Sequence, residues 1–195
     1  MKQINAYKHS MKNIKNYINE RLHVTTKSHL YSCQPKTRDE LQEIIIRRIK
    51  DDGPECDLND IDVSKITDMS NLCSIDTQFY GDAIFKNFNG DISLWNVSNV
   101  VDMCSMFSGC EEFNCDLSKW NVSKVINMSW MFDGCFKFNC DLSHWDVSNV
   151  TYMNGMFNEC QNFIQNLNKW DVSNAKETVY MFDLCPTQPK WYKYK

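Results

Sequence analysis

Residues 95–135 read WNVSNVVDMCSMFSGCEEFNCDLSKWNVSKVINMSWMFDGC, and the phrase that opens at Trp95 starts again at Trp120. It returns at Trp145 and Trp170, so four tryptophans stand 25 residues apart. A second phrase lies between them: FNGDISL, FNCDLSK, FNCDLSH and the weaker FIQNLNK. Self-similarity at a fixed period of this length marks a tandem-repeat architecture, in which each unit buries its apolar face only against its neighbours. Working outward, CDLNDIDVSKITDMSNL from Cys56 is a worn copy with Ile61 in the tryptophan place, followed by about nine extra residues near 76–85. The last copy fails after Cys185, where PTQPKWYKYK replaces the expected phrase. The array therefore spans 56–185, with a C-terminal tail over 186–195.

Within one unit, Val100, Met103, Met106, Phe107 and Cys110 recur at steps of three and four, which predicts one face of a short helix. Ser98 stands at its N-cap position, and Gly109 and Gly134 fall where a helix ends. Ile92, Leu117, Leu142 and Leu167 suit a short buried parallel strand. One turn of the array is then strand, turn, short helix, turn. Strands would stack at about 4.8 Å and helices at about 8–10 Å, so the array would curve with its helices outside. The expected fold is an α/β repeat solenoid on the leucine-rich-repeat plan.

The phrases quoted above resemble the repeated unit of the BspA-like leucine-rich-repeat surface protein family, W[DN]VSNVTxMxxMFxxCxxFNxDIS. The resemblance covers roughly 56–185, and the lead-in TRDELQEIIIRRIKDDGPECDLNDIDVSKITDMSNL also looks like the segment before the repeats in many members. It implies a surface or secreted adhesion and protein-binding protein without catalytic residues. A fold family constrains function only weakly.

Ahead of the array, Thr37-x-x-Glu40 reads as a capping box. Leu41, Ile44, Ile45 and Ile49 follow as an amphipathic helix that Gly53-Pro54 closes. This segment, 37–55, is expected to cap the open end of the first repeat. Residues 1–36 form a basic arm with a thin apolar stripe, Met11, Ile14, Ile18 and Leu22. Up to Arg38 there are eight Lys/Arg and one acid, a net charge of +7; from Asp39 on, 13 basic and 24 acidic residues give −11. The acidic array is a poor nucleic-acid binder, so only the arm could reach a membrane or nucleic acid. No apolar run approaches the roughly 20 residues of a membrane helix. No secretory h-region opens the chain, which favours the cytoplasm and reduced thiols for the ten cysteines.

Catalytic chemistry finds no foothold, since no Ser/His/Asp set, phosphate loop or HExxH motif is present. The in-register cysteines, Cys110, Cys135, Cys160 and Cys185 in one column and Cys56, Cys115 and Cys140 in another, read as small core residues. They do not converge as a metal site requires. Asp91, Asp116, Asp141 and Asn166 read as turn residues accepting backbone N–H bonds. No cofactor and no metal is expected. Binding to a protein partner is expected at positions that vary between copies: the aromatics Trp130, Phe136, Tyr152 and Tyr180, and the column Lys119, His144 and Lys169 beside the predicted strand. Rival readings are recruitment through the basic arm and end-to-end assembly of arrays.

Overall fold

The structure, a computed structural model, describes residues 31–75 and 82–193. Residues 1–30 of the basic arm lie outside the described residues, and with them its apolar stripe and the membrane and nucleic-acid expectation. Helix α1 spans Arg38–Asp52. Thr37 caps it, its Oγ1 accepting from the Glu40 N–H at 3.2 Å. The Glu40 carboxylate reaches back to the Lys36 N–H at 2.7 Å, one residue before the position a capping box predicts. Leu41, Ile45 and Ile49 point into the core. Gly53, at φ 95°, ends the helix and donates its N–H to Ile49 O. A second, five-residue helix, α2, covers Asp82–Lys86.

The α/β solenoid expected from the sequence is not what the repeats form. Among the described residues no repeat contains a strand, and none from Trp95 onward contains a helix. The spacing of buried residues that suggested a helix comes from consecutive tight turns. Met106 N–H closes onto Met103 O at 3.2 Å and Cys110 N–H onto Phe107 O at 3.0 Å. The third residue of the first turn is left-handed in every copy: φ is 52° at Ser105 and 58° at Trp130, Gly155 and Tyr180. Gly109, Gly134, Glu159 and Leu184 repeat the conformation four residues on. A right-handed helix cannot run through such residues, whereas a type II turn requires one at its third position. Ser98 is accordingly no helix cap. Its hydroxyl donates to Asn96 Oδ1 at 2.7 Å, inside a turn that Val100 N–H closes onto Val97 O.

The strand expectation fails for a related reason. Repeats do pair in parallel, but one residue at a time: Asp68, Asp102, Asn127, Tyr152 and Glu177 form a chain of isolated bridges. Flanking N–H groups are already committed to turns, such as Cys104 N–H to Asp102 Oδ1 at 2.8 Å, so no bridge extends into a strand. Beyond the bridge, N–H groups alternate between two destinations. Met103, Ser105, Phe107 and Gly109 donate to Asn127, Ser129, Met131 and Asp133 O of the next repeat, while Met106, Ser108 and Cys110 donate within their own. This split ladder holds the repeats in register without regular secondary structure.

The core is a set of columns, one residue from each repeat. Trp95, Trp120 and Trp145 stack with centroids 6.5 Å apart and planes within 5°. Each indole N–H serves a buried carbonyl of the repeat before: Trp120 Nε1 to Ile92 O, Trp145 Nε1 to Leu117 O and Trp170 Nε1 to Leu142 O, at 2.9–3.2 Å. Phe107, Phe132, Phe157 and Phe182 form a second stack at 5.3–5.8 Å. Phe88, Phe113, Phe138 and Phe163 form a third at 5.9–6.0 Å. Asparagines set the register at the edge: Asn89 accepts from Asn114 N–H, Asn114 from Asn139 N–H and Asn139 from Ile164 N–H through their Oδ1 atoms.

Both ends of the stack are furnished. On the first repeat, carbonyls that elsewhere meet a preceding layer meet α1 instead: Arg38 donates to Ser70 O at 3.2 Å and Gln42 to Leu72 O at 2.8 Å. At the other end the tail is part of the packing. Trp191 donates its indole N–H to Leu167 O at 2.8 Å, taking the role of a further repeat tryptophan. Its ring and that of Tyr192 stand edge-on to Phe182.

Candidate functional site

A binding surface on this stack has to come from columns that face outward, because the inward ones are filled to closure. Lys119, His144 and Lys169 are all exposed, each in the turn that its following tryptophan closes, from Trp120 N–H to Leu117 O onward. Leu94 belongs to the same column and is likewise exposed. Among the described residues no strand lies beside them, so the strand they were expected to flank is absent.

The four aromatics do not share one column. Trp130 and Tyr180 occupy the left-handed turn position, with Gly155 between them. Trp130 is half-buried, not free: a Cβ on Gly155 would stand 2.1 Å from its Cε3 atom, so the indole packs closely against that buried glycine. Tyr180 is 46% exposed on the last repeat. Phe136 lies in a separate turn and is half-buried, its carbonyl accepting from Asn162 Nδ2 at 2.9 Å. Tyr152 sits in the bridge column, between Asn127 and Glu177, and is 39% exposed.

Tyr152 has neighbours that the sequence reading passed over. Val101 and Ile126 form the adjoining column and are 43% and 38% exposed. Ile126 N–H donates to Val101 O at 2.9 Å, and both Thr151 and Tyr152 donate to Ile126 O. Val101, Ile126 and Tyr152 thus make an exposed apolar strip across three consecutive repeats, on a wall whose backbone is hydrogen-bonded between layers. The residue just after each V-S-x-V phrase varies between copies, Val101, Ile126 and Thr151, and that variation is the signal that could have found this column.

Other chemistry is accounted for by the fold. The thiols of Cys110, Cys135, Cys160 and Cys185 donate to Cys73, Phe107, Phe132 and Phe157 O at 2.8–3.1 Å. Burial pushes the Cys110, Cys135 and Cys160 thiols well above their usual range. At Cys115 burial raises the value to about 11, opposed by the Ile92 N–H that its sulfur accepts. Such cysteines are poor nucleophiles, because the thiolate is the reactive form. Asp91, Asp116 and Asp141, with Asn166, accept the N–H two residues on at 2.9–3.0 Å, so the column does turn chemistry. Among the described residues no group of three His, Cys, Asp or Glu is placed to hold a metal ion. A cleft of about 290 Å³ beside the start of α1 is lined by Lys36, Arg38, Asp39, Lys65 and Asp68, among others. Its principal cation is committed, Arg38 to Asp39 at 2.9 Å and to Ser70. No helix among the described residues is long and apolar enough to cross a membrane.

Neither a curated protein nor a solved structure matches the chain. Residues 73–191, more than half of the sequence and all of the tryptophan-bearing repeats, match the family described as "Mycoplasma protein of unknown function, DUF285". The stretch matched ends at Trp191, the residue whose indole completes the tryptophan column. The chain therefore belongs to the DUF285 family of Mycoplasma proteins of unknown function.

Proposed function

We propose that the chain is a non-catalytic protein-binding module, which engages a protein partner through the outward columns of its stacked repeats. One observation carries this reading: the exposed strip of Val101, Ile126 and Tyr152 on a wall held rigid by hydrogen bonds between layers. Scattered exposed apolar residues are ordinary, but these three stand in adjoining columns of successive repeats. Tyrosine is among the residue types enriched at the energetic centres of interfaces. Lys119, His144 and Lys169 belong to a separate exposed column and would add charge contacts beside it. The likeness of the repeat phrase to BspA-like surface proteins supports the same reading at the level of sequence, since that family is implicated in adhesion and protein binding. It brings no leucine-rich-repeat architecture with it.

The test is affinity capture from the producing cell with two baits, the intact chain and a variant carrying Val101→Ser, Ile126→Ser and Tyr152→Ser. All three side chains are exposed, so the variant is expected to keep its circular dichroism and melting point. A protein held by the first bait and lost from the second supports the strip as the site. Equal retention by a folded variant removes the strip from the proposal, and failure of both baits to retain any protein counts against a binding module.

A further inference from the structure

One column of thiols ends at an accessible member. Cys110, Cys135 and Cys160 are fully buried, whereas Cys185, in the last repeat, is half-buried. Its sulfur donates to Phe157 O at 2.8 Å, the oxygen that the Cys160 N–H reaches at 3.1 Å. The Cys185 sulfur therefore lies against the backbone of Cys160, and the two thiol groups are within reach of each other. Equivalent residues of parallel layers stand about 4.8 Å apart, inside the range of about 4.4–6.8 Å between Cα atoms that a disulfide spans. In the Phe107 stack the last interface is the tightest: Phe157 and Phe182 lie 5.3 Å apart, against 5.8 and 5.7 Å at the two before it.

The hydrogen bonding leaves both sulfurs free to move. The Cys160 and Cys185 thiols are second donors to Phe132 O and Phe157 O, which keep the Cys135 and Cys160 N–H groups when a thiol proton is lost. The Cys115 and Cys140 column is built the other way, its sulfurs accepting the Ile92 and Leu117 N–H groups. Drawing those two sulfurs together would strip backbone donors of their partners, which is costly. Cys110 and Cys135 have spare donors but no accessible member through which an oxidant could enter.

We propose that Cys160 and Cys185 form an oxidation site, which a hydroperoxide closes into a disulfide stapling the last repeat to the one before it. The hydroperoxide transfers one oxygen to the Cys185 sulfur, giving a sulfenic acid, and is itself reduced to the alcohol, or to water in the case of hydrogen peroxide. The Cys160 sulfur then attacks that of Cys185. The S–S bond forms, the S–O bond breaks, and the departing hydroxide takes the Cys160 proton to become water. Burial holds the Cys160 thiol well above its usual range, so this second step is the slow one. The meeting of the two residues at Phe157 O supplies the proximity that drives it. The staple fixes the layer on which the tail rests, where the Thr187 hydroxyl donates to Phe163 O at 3.2 Å and the Trp191 and Tyr192 rings stand on Phe182.

This proposal stands independently of the exposed strip. It is tested on the full reduced chain with hydrogen peroxide, by intact mass, by peptide mapping without reduction and by urea unfolding. The expected product has lost two hydrogens and carries a Cys160–Cys185 link that dithiothreitol reverses. Closing a loop of this length is expected to shift the unfolding equilibrium at least about tenfold toward the native state. The Cys185→Ser variant is expected to keep its fold and form no link, and Cys115→Ser to form it as the parent does. Sulfinic acid at Cys185 beside a free Cys160, a link between Cys115 and Cys140, or no reaction at either thiol of the pair overturns the proposal. So does a Cys160–Cys185 link that lowers the urea midpoint, because the native layers would then not accommodate it.

Discussion

At the scale of the residue, the pairing of Trp130 with Gly155 shows how one position can be both variable and constrained. Its column reads Ser105, Trp130, Gly155, Tyr180, all at positive φ. No side chain type is fixed there, yet a large one in one layer requires almost nothing in the next. Gly155→Ala sets a Cβ into the Trp130 ring and leaves a non-glycine residue at φ 58°, so it is expected to destabilise the fold by about 1–3 kcal/mol. In a Trp130→Ser background the overlap is gone and only the backbone cost remains, as at Ser105. A double-mutant cycle by urea unfolding should therefore give a coupling of about 1 kcal/mol or more between the two sites. Additive effects would mean that the ring does not rest on the glycine.

At the scale of the element, the unit of this protein is the turn. Asp or Asn begins most of the turns by accepting an N–H two residues on, and the two residues interchange between copies: Asn96 and Asn121 against Asp146 and Asp171, Asp141 against Asn166. The amide and the carboxylate offer the same oxygen, but only the carboxylate titrates. Hydrogen bonds from the Ser118 hydroxyl and N–H hold Asp116 below its usual range, and those from the Ser143 N–H and hydroxyl do so for Asp141. A depressed folded pKa contributes stability that is present above the ordinary carboxyl value and is lost as pH falls through the folded one. The loss should therefore fall below about pH 4. The Asp116→Asn, Asp141→Asn variant is expected to lose less of its urea midpoint between pH 7 and pH 3 than the parent. An identical or steeper loss would contradict the role given to these carboxylates.

At the scale of the whole molecule, the described repeats, α1 and the tail share one core, which runs from Leu41 to Phe182 with Trp191 and Tyr192 packed against its end. A cap that belongs to this core must destabilise all of it when weakened. Ile45→Ala, at a fully buried position of α1, is expected to cost about 2–5 kcal/mol. Far-UV circular dichroism and tryptophan fluorescence, to which the Trp95, Trp120 and Trp145 stack contributes, should shift to lower denaturant together. If the tryptophan signal kept its midpoint while helical signal was lost, α1 would be an appendage and not part of the cooperative unit.

The sequence by itself determined the period, the register and the inward columns. A residue repeated every 25 positions has no other reason to be Trp, Phe or Met than a shared buried environment. Helix α1 was also legible, from Thr37, Glu40 and Gly53, because caps act over a few neighbouring residues. What only the tertiary structure decided is the backbone that joins the columns. Steps of three and four between Val100, Met103, Phe107 and Cys110 suit a helix and a chain of tight turns equally well. The choice rests on where the N–H groups go, and here half of them leave for the next repeat. The outward set was hidden for the same cause. Trp130 counts as exposed on a helical wheel and is half-buried on a left-handed turn, while Val101 and Ile126, which the helical pattern left unassigned, are exposed. A hydrogen bond to a residue 24 or 25 positions away leaves no mark on local periodicity, and in this protein such bonds fix both the path of the chain and the face it presents.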